Sequence, residues 1–324
     1  MRSSTSMVVW VLAPFGAAAP LLAAQSLPDG PARQTVQTLC TACHELRTVT
    51  DAGHTREDWR TVLHMMVNAG APLPAAQFDN VLDYLAVHFP EKPIPPAVLL
   101  AGKVQASIRD WALPIAGSRP HDPLAAPDGS IWYSGQMASV LGRLEPDTGK
   151  ITEFHTRIPG SGPHGLVMDT AGNVWFTANF QGYIGKFDPH TRTFTEYPLP
   201  DPKARDPHTP LFDAHGRLWF TVQGANMVGR LDPASGQFTE WPSPGGLRSL
   251  PYGIAVTHGA IWYSESGVKP NTIVRFDPHD TSFQSWAIPS GGGVIRNMMT
   301  MPDGNIAIAE SGVNRVGLVA IKGR

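Results

Sequence analysis

The feature that most constrains this chain is a repeat. Segments of one design open at Pro120, Pro163, Pro207, Pro251 and Ile295, so the spacing is 43 or 44 residues. The clearest copies read PHGLVMDTAGNVWFTANFQGYIGKFDPHTRTFTEYPLP from Pro163 and PHTPLFDAHGRLWFTVQGANMVGRLDPASGQFTEWPSP from Pro207. Each holds four short strand patterns separated by Gly or Asp-Pro turns. Four strands in roughly 40–45 residues is the size of one propeller blade. The fifth copy ends after its third strand, at Ile321. Residues 108–114 (IRDWALP) resemble the fourth-strand pattern FTEYPLP and precede the first copy. They are expected to complete the last blade and close a ring of about five four-stranded blades, leaving no open sheet edge.

The chain has 32 Gly and 31 Pro, with nine Trp and thirteen Phe and no collagen period. That composition means many turns around an aromatic core, not disorder. Trp132, Trp175, Trp219 and Trp262 recur once per copy and are expected to pack between blades. Net charge is -2 and the charges are spread along the chain. This excludes an electrostatic case for nucleic acid or an anionic membrane.

A different pattern precedes the repeat. Arg2 is followed by an apolar run over residues 7–22 and by small residues at Ala17 to Ala19, Ala23 and Ala24. This predicts a secretory signal peptide over residues 1–24 and a periplasmic protein with no membrane span once mature. The run is broken by Pro14, Gly16 and Pro20 and is short for a span of about 20 residues.

The only two cysteines lie in LCTACHELR, as Cys40, Cys43 and His44 in C-x-x-C-H spacing. A disulfide would close a tiny loop and add little stability. Zinc would need a further ligand. A covalent haem c uses all three residues: Cys40 and Cys43 form thioethers and His44 ligates the iron. Helical patterns follow over residues 32–46, 55–70 and 74–89. Thr55 and Asp58 suggest a variant capping box, and Gly70 a helix stop. Three helices around a planar cofactor resemble a compact class I cytochrome c, over residues 28–92. The resemblance implies a methionine as sixth ligand: Met66, which shares a stripe with Trp59 and Val62, or Met65 as the alternative. His54 and His64 remain open as ligands of a bis-His haem. A Pro-rich linker over residues 93–106 separates this unit from the propeller at 107–324. The expected architecture is thus a small helical domain followed by an all-β one.

The repeat itself, PHGL, then G-x-V-W-F-T, I-G-K/R and I-T-E-Y-P-L-P, is similar to the virginiamycin B lyase (streptogramin lyase) family. The resemblance spans residues 107–321. It implies a propeller, usually of seven blades, and an elimination that opens a cyclic depsipeptide at an ester without water. It further implies a histidine that removes a proton alpha to a carbonyl and Mg2+ held by acidic residues.

Aligned by the repeat, one residue per copy opens the first strand: His121, His164, His208, Tyr252 and Arg296. The position that ends the second strand is Gly135, Ala178, Val222, Glu265 and Glu310. Convergence of these residues at one end of the ring would resemble an acid/base or metal site. Asp206-Pro207-His208 best matches the family's acid-Pro-His-Gly segment, with Thr209 in place of Gly. Glu310 fits the metal-binding glutamate, with Glu265 a second acid. Arg296 stands at the last-blade histidine position and cannot act as a base at neutral pH.

Three functions follow as expectations. The first is an exported haem protein that couples electron transfer to a small-molecule substrate or a redox partner at the propeller mouth. The second is an Mg2+-dependent streptogramin-type lyase. The third is a docking propeller without catalysis.

Overall fold

In the computed structural model, residues 27–93, 95–100, 103, 106–202 and 204–322 are described. Residues 1–24, read above as a signal peptide, lie outside them. Among the described residues, no helix is long and apolar enough to cross a membrane.

The N-terminal unit has four helices: α1 (Arg33–Cys40), α2 (Arg47–Thr50), α3 (Arg56–Asn68) and α4 (Ala75–His88). The first is shorter than its pattern predicts. The Thr41 hydroxyl donates to the Gln37 carbonyl at 2.6 Å, and Cys43 and His44 follow in a turn. Side-chain bonds of this kind compete with helix continuation. The start of α3 follows the sequence closely: the Asp58 N–H donates to Thr55 Oγ1 at 3.1 Å. Gly70, at φ +99, stops the segment. Val36, Val49, Trp59, Leu63, Val81, Leu82, Tyr84 and Leu85 form the unit's core.

The rest of the chain is built of small antiparallel sheets. Blade 1 runs β1 (Pro120–Ala125), β2 (Ile131–Gly135), β3 (Val140–Glu145) and β4 (Lys150–His155). Blade 2 runs β5 (Pro163–Met168), β6 (Val174–Ala178), β7 (Tyr183–Asp188) and β8 (Thr193–Pro198). Blade 3 runs β9 (Pro207–Phe212), β10 (Leu218–Val222), β11 (Met227–Leu231) and β12 (Phe238–Pro242). Blade 4 runs β13 (Pro251–Thr257), β14 (Ala260–Glu265), β15 (Thr272–Asp277) and β16 (Ser282–Ala287). Blade 5 has β17 (Ile295–Thr300), β18 (Ile306–Glu310) and β19 (Arg315–Val319). Each is a meander in chain order.

The second strands of blades 2 to 4 are buried along nearly their whole length, because each of these blades lies between two others; hence their continuous apolar runs. The repeated glycine of the third strand has a steric cause. A Cβ at Gly185 would overlap the Phe176 ring, and one at Gly142 the Tyr133 ring. The Asp-Pro turns are closed by aspartate: Asp188 accepts from the His190 N–H at 2.8 Å and Asp232 from that of Ala234 at 2.8 Å, as Asx turns do. The tryptophans pack as expected. Trp175 stacks on Tyr197 of its own blade with centroids 5.5 Å apart, and meets Phe212 of the next at 6.0 Å.

The ring is not closed as the sequence suggests. Residues 108–114 form no strand. Their large side chain, Trp111, lies against Gly149 in the β3–β4 turn of blade 1. Blade 5 therefore keeps three strands, and Val316 and Leu318 on β19 are 85% and 60% exposed. Inner strands pack in the order β1, β5, β9, β13, β17, giving an arc of five blades whose edge at blade 5 is uncovered among the described residues.

Candidate functional site

The first strand of every blade carries a bulge next to its opening residue. In blade 1, His121 and Asp122 together face Ser134, between the pairs Pro120–Gly135 and Pro123–Tyr133. Bulges re-aim side chains. The repeated bulge turns one residue per blade into a common row. His121 and His164 have ring centroids 3.7 Å apart, His164 and His208 4.0 Å, and His208 and Tyr252 4.0 Å. Arg296 Nη1 then donates to the Tyr252 hydroxyl at 3.5 Å. All five aligned positions thus join in one continuous ladder.

A set of hydroxyls absent from the sequence reading holds the ladder in place. Ser134 Oγ accepts from the Asp122 N–H at 3.0 Å and donates to the His164 carbonyl at 2.7 Å. Thr177 Oγ1 accepts from the Gly165 N–H at 3.0 Å and donates to the His208 carbonyl at 2.7 Å. Thr221 Oγ1 takes the Thr209 N–H at 3.4 Å and gives to the Tyr252 carbonyl at 2.9 Å. Each hydroxyl is fully buried and ties a bulge to the next blade. Ser264 takes the Gly253 N–H at 3.2 Å in blade 4; blade 5 has Ala309 at this place. The recurrent Ser or Thr after the second-strand aromatic was the available signal.

Burial keeps the central histidines neutral. It depresses His208 to about 4, with the charges of His121 and Arg296 adding to the effect. It depresses His164 to about 2, reinforced by His208, His121 and Arg119. His208 Nδ1 meets Thr209 Oγ1 at 3.1 Å, so Thr209 orients the ring. Beside it, burial raises Asp206 to about 6 despite the hydrogen bond from Asn179.

The two glutamates are not in this row. Glu265 is 2% exposed. Its carboxylate accepts from Ser243 Oγ at 2.5 Å, the Gly245 N–H at 2.6 Å and Thr272 Oγ1 at 2.5 Å. It latches blade 4 to the end of blade 3. Glu310 accepts from the Ser290 hydroxyl. Among the described residues, neither belongs to a cluster of three or more metal-ligating side chains.

A second site lies in the helical unit. One apolar cleft is lined by Cys40, Cys43, His44, Met66, Val36, Leu63 and Val67, among others, and has about 720 Å³ of empty space, its open mouth included. Both cysteines are free thiols, and burial pushes the Cys40 thiol up. His44 Nδ1 lies 3.2 Å from the Glu45 carbonyl; in the tautomer that donates there, Nε2 keeps its lone pair. Met65 does not line the cleft; its backbone packs on Gly117, where a Cβ would overlap it. His54 stacks edge-on with Trp59, and His64 sits against Phe78. Asn68 Nδ2, at the end of α3, donates to the Ala116 carbonyl at 2.9 Å, in the segment that precedes β1.

The model of the virginiamycin B lyase family matches residues 101–258, which hold blades 1 to 3 and the first strand of blade 4. The propeller is virginiamycin B lyase-like. Virginiamycin B lyase from Staphylococcus aureus superposes with a TM-score of 0.61 at 25% identity, covering 66% of this chain and 71% of that one. A catalytically inactive His-to-Ala variant of the same lyase, with quinupristin, superposes at 0.61 and 26% identity, covering 67% and 72%. A streptogramin B lyase structure gives 0.59 and 25%, covering 67% and 74%. No curated protein matches the chain. The virginiamycin B lyase-like arc thus matches 71–74% of the length of these lyases.

Proposed function

We propose that this chain is an exported c-type haem protein whose virginiamycin B lyase-like propeller binds a small molecule or redox partner along the histidine ladder. One observation carries the reading: Cys40, Cys43, His44 and Met66, far apart in residue type and partly in sequence, line a single apolar cleft. The donor set fits haem c. The free thiols of Cys40 and Cys43 would form the thioethers, and the His44 imidazole and Met66 thioether would ligate the iron. When bound, haem supplies one-electron chemistry. The protein's own part is to hold the group in an apolar cleft, fix the His44 ring through Glu45, and place Met66 from α3. Asn68 connects that helix to the segment that leads into β1, and so to His121. Visible spectra of the periplasmic protein test the reading. Reduction of a c-type haem band by a bound substrate or partner is expected, and failure to reduce it with any candidate, despite binding at the propeller, argues against it.

A second reading is a carbon–oxygen lyase of the streptogramin type, favoured by the similarity to lyases of known structure and by neutral His208 in the row. His208 would remove the proton alpha to the carbonyl; His164, Tyr252 and Arg296 would position the substrate. Mg2+ fits poorly as the glutamates stand. Mg2+ takes a near-octahedral set of oxygen ligands, whereas the Glu265 oxygens are already satisfied within the protein. Glu310 is the remaining acid for such an ion. Linearisation of quinupristin, lost in His208→Ala and Glu310→Ala, is the test; an intact antibiotic after incubation with Mg2+ rejects this reading. A docking propeller without catalysis is the outcome if outer-face changes alone alter function.

A further inference from the structure

The blade 1 end of the ladder carries a donor set different from the glutamates. His121, Asp122 and His164 each offer a ligand atom, and these atoms all lie within 4.8 Å of one another. His121 Nδ1 and Asp122 Oδ1 are 2.7 Å apart. The pair is partly exposed, with side chains 30% and 38% accessible. His164, by contrast, is 7% exposed, and its Nδ1 has no hydrogen-bond partner. Buried polar atoms are normally satisfied, so an orphaned imidazole nitrogen in such a cluster points to a missing ligand.

We infer that His121, Asp122 and His164 bind a late first-row divalent ion of the Zn2+ type. The ion would take the place of the proton shared by His121 and Asp122, and reach the ring of His164. Tetrahedral ligands at about 2.0–2.2 Å from such an ion stand roughly 3.4 Å apart, so small side-chain rotations close the site. Imidazole nitrogen with one carboxylate suits Zn2+, Ni2+ or Cu2+ and not Mg2+ or Ca2+, which take oxygen. Three protein ligands leave a fourth position open, as in catalytic rather than structural zinc sites. Arg119, whose charge acts on His164, donates to Gln136 Oε1 at 2.9 Å. The inference rests on the propeller alone and stands whether or not haem is attached.

Calorimetric titration of the metal-free full-length protein with Zn2+ tests it, with circular dichroism confirming that each variant is folded. One equivalent of Zn2+ is expected to bind, undisturbed by excess Mg2+. His121→Ala and Asp122→Asn, both on the accessible side, are expected to weaken this binding at least about tenfold, from the loss of one ligand in three. Glu310→Gln is expected to leave it unchanged. Absence of saturable binding overturns the inference. So does wild-type affinity in both His121→Ala and Asp122→Asn, or loss of binding in Glu310→Gln.

Discussion

The Thr177 hydroxyl donates to the His208 carbonyl at 2.7 Å while accepting from the Gly165 N–H at 3.0 Å. One buried side chain thus fixes the bulge of its own blade and the ladder residue of the next. Thr177→Val keeps the shape but leaves a buried N–H and a buried carbonyl unpaired. It is expected to destabilise the propeller by about 1–3 kcal/mol, measured by chemical denaturation. Thr177→Ser, which keeps the hydroxyl, is expected to recover most of that loss.

A second prediction concerns Gly185, which lies under the Phe176 ring. The backbone conformation there is ordinary strand, so the constraint is space alone. Gly185→Ala is expected to cost about 1–3 kcal/mol by overpacking. The double change Gly185→Ala with Phe176→Leu is expected to cost less than the sum of the two single changes.

Asp206 sets a pH dependence. Its folded-state value is raised to about 6 by burial, above the ordinary 3.8. A carboxyl raised in this way favours folding while protonated, below its unfolded value. The advantage is lost as pH rises from about 4 through about 6. Asp206→Asn is therefore expected to raise stability relative to wild type at pH 7–8 and to leave it nearly unchanged below pH 4. Thermal unfolding at the two extremes measures the difference. An equal effect at both would show that Asp206 acts only through its bond from Asn179.

Met66 and Met65 make opposite predictions. Met66 lines the cleft, whereas the Met65 backbone packs against Gly117. On the proposed haem reading, Met66→Ala is expected to abolish a methionine–iron charge-transfer absorption of the oxidised protein and lower its potential, because thioether ligation raises it. Met65→Ala is expected to leave both in place.

The blades, their boundaries and the ladder were legible because each depends on spacing within one repeat. The row from His121 to Arg296 follows from aligning Pro-His with Pro-Tyr and Ile-Arg. The capping of α3 by Thr55 was local for the same reason. The hydroxyl relay was not legible as a function of its residues, since the carbonyl that Ser134 serves belongs to another blade. Ring closure failed for a similar reason. The pattern of residues 108–114 suits a fourth strand, but Trp111 packs on blade 1, and nothing in that pattern records the choice. Glu265 read as a metal ligand because its three internal donors, Ser243, Gly245 and Thr272, are distant or unremarkable in sequence.

The most direct test of the central claim is the mass of the denatured, periplasmically expressed protein, followed by peptide mapping. The account predicts one haem added to each chain, retained on the peptide that holds Cys40 and Cys43, and lost when both are changed to alanine. A chain of unmodified mass with both thiols open to alkylation, made in cells that attach haem to other c-type cytochromes, would contradict it.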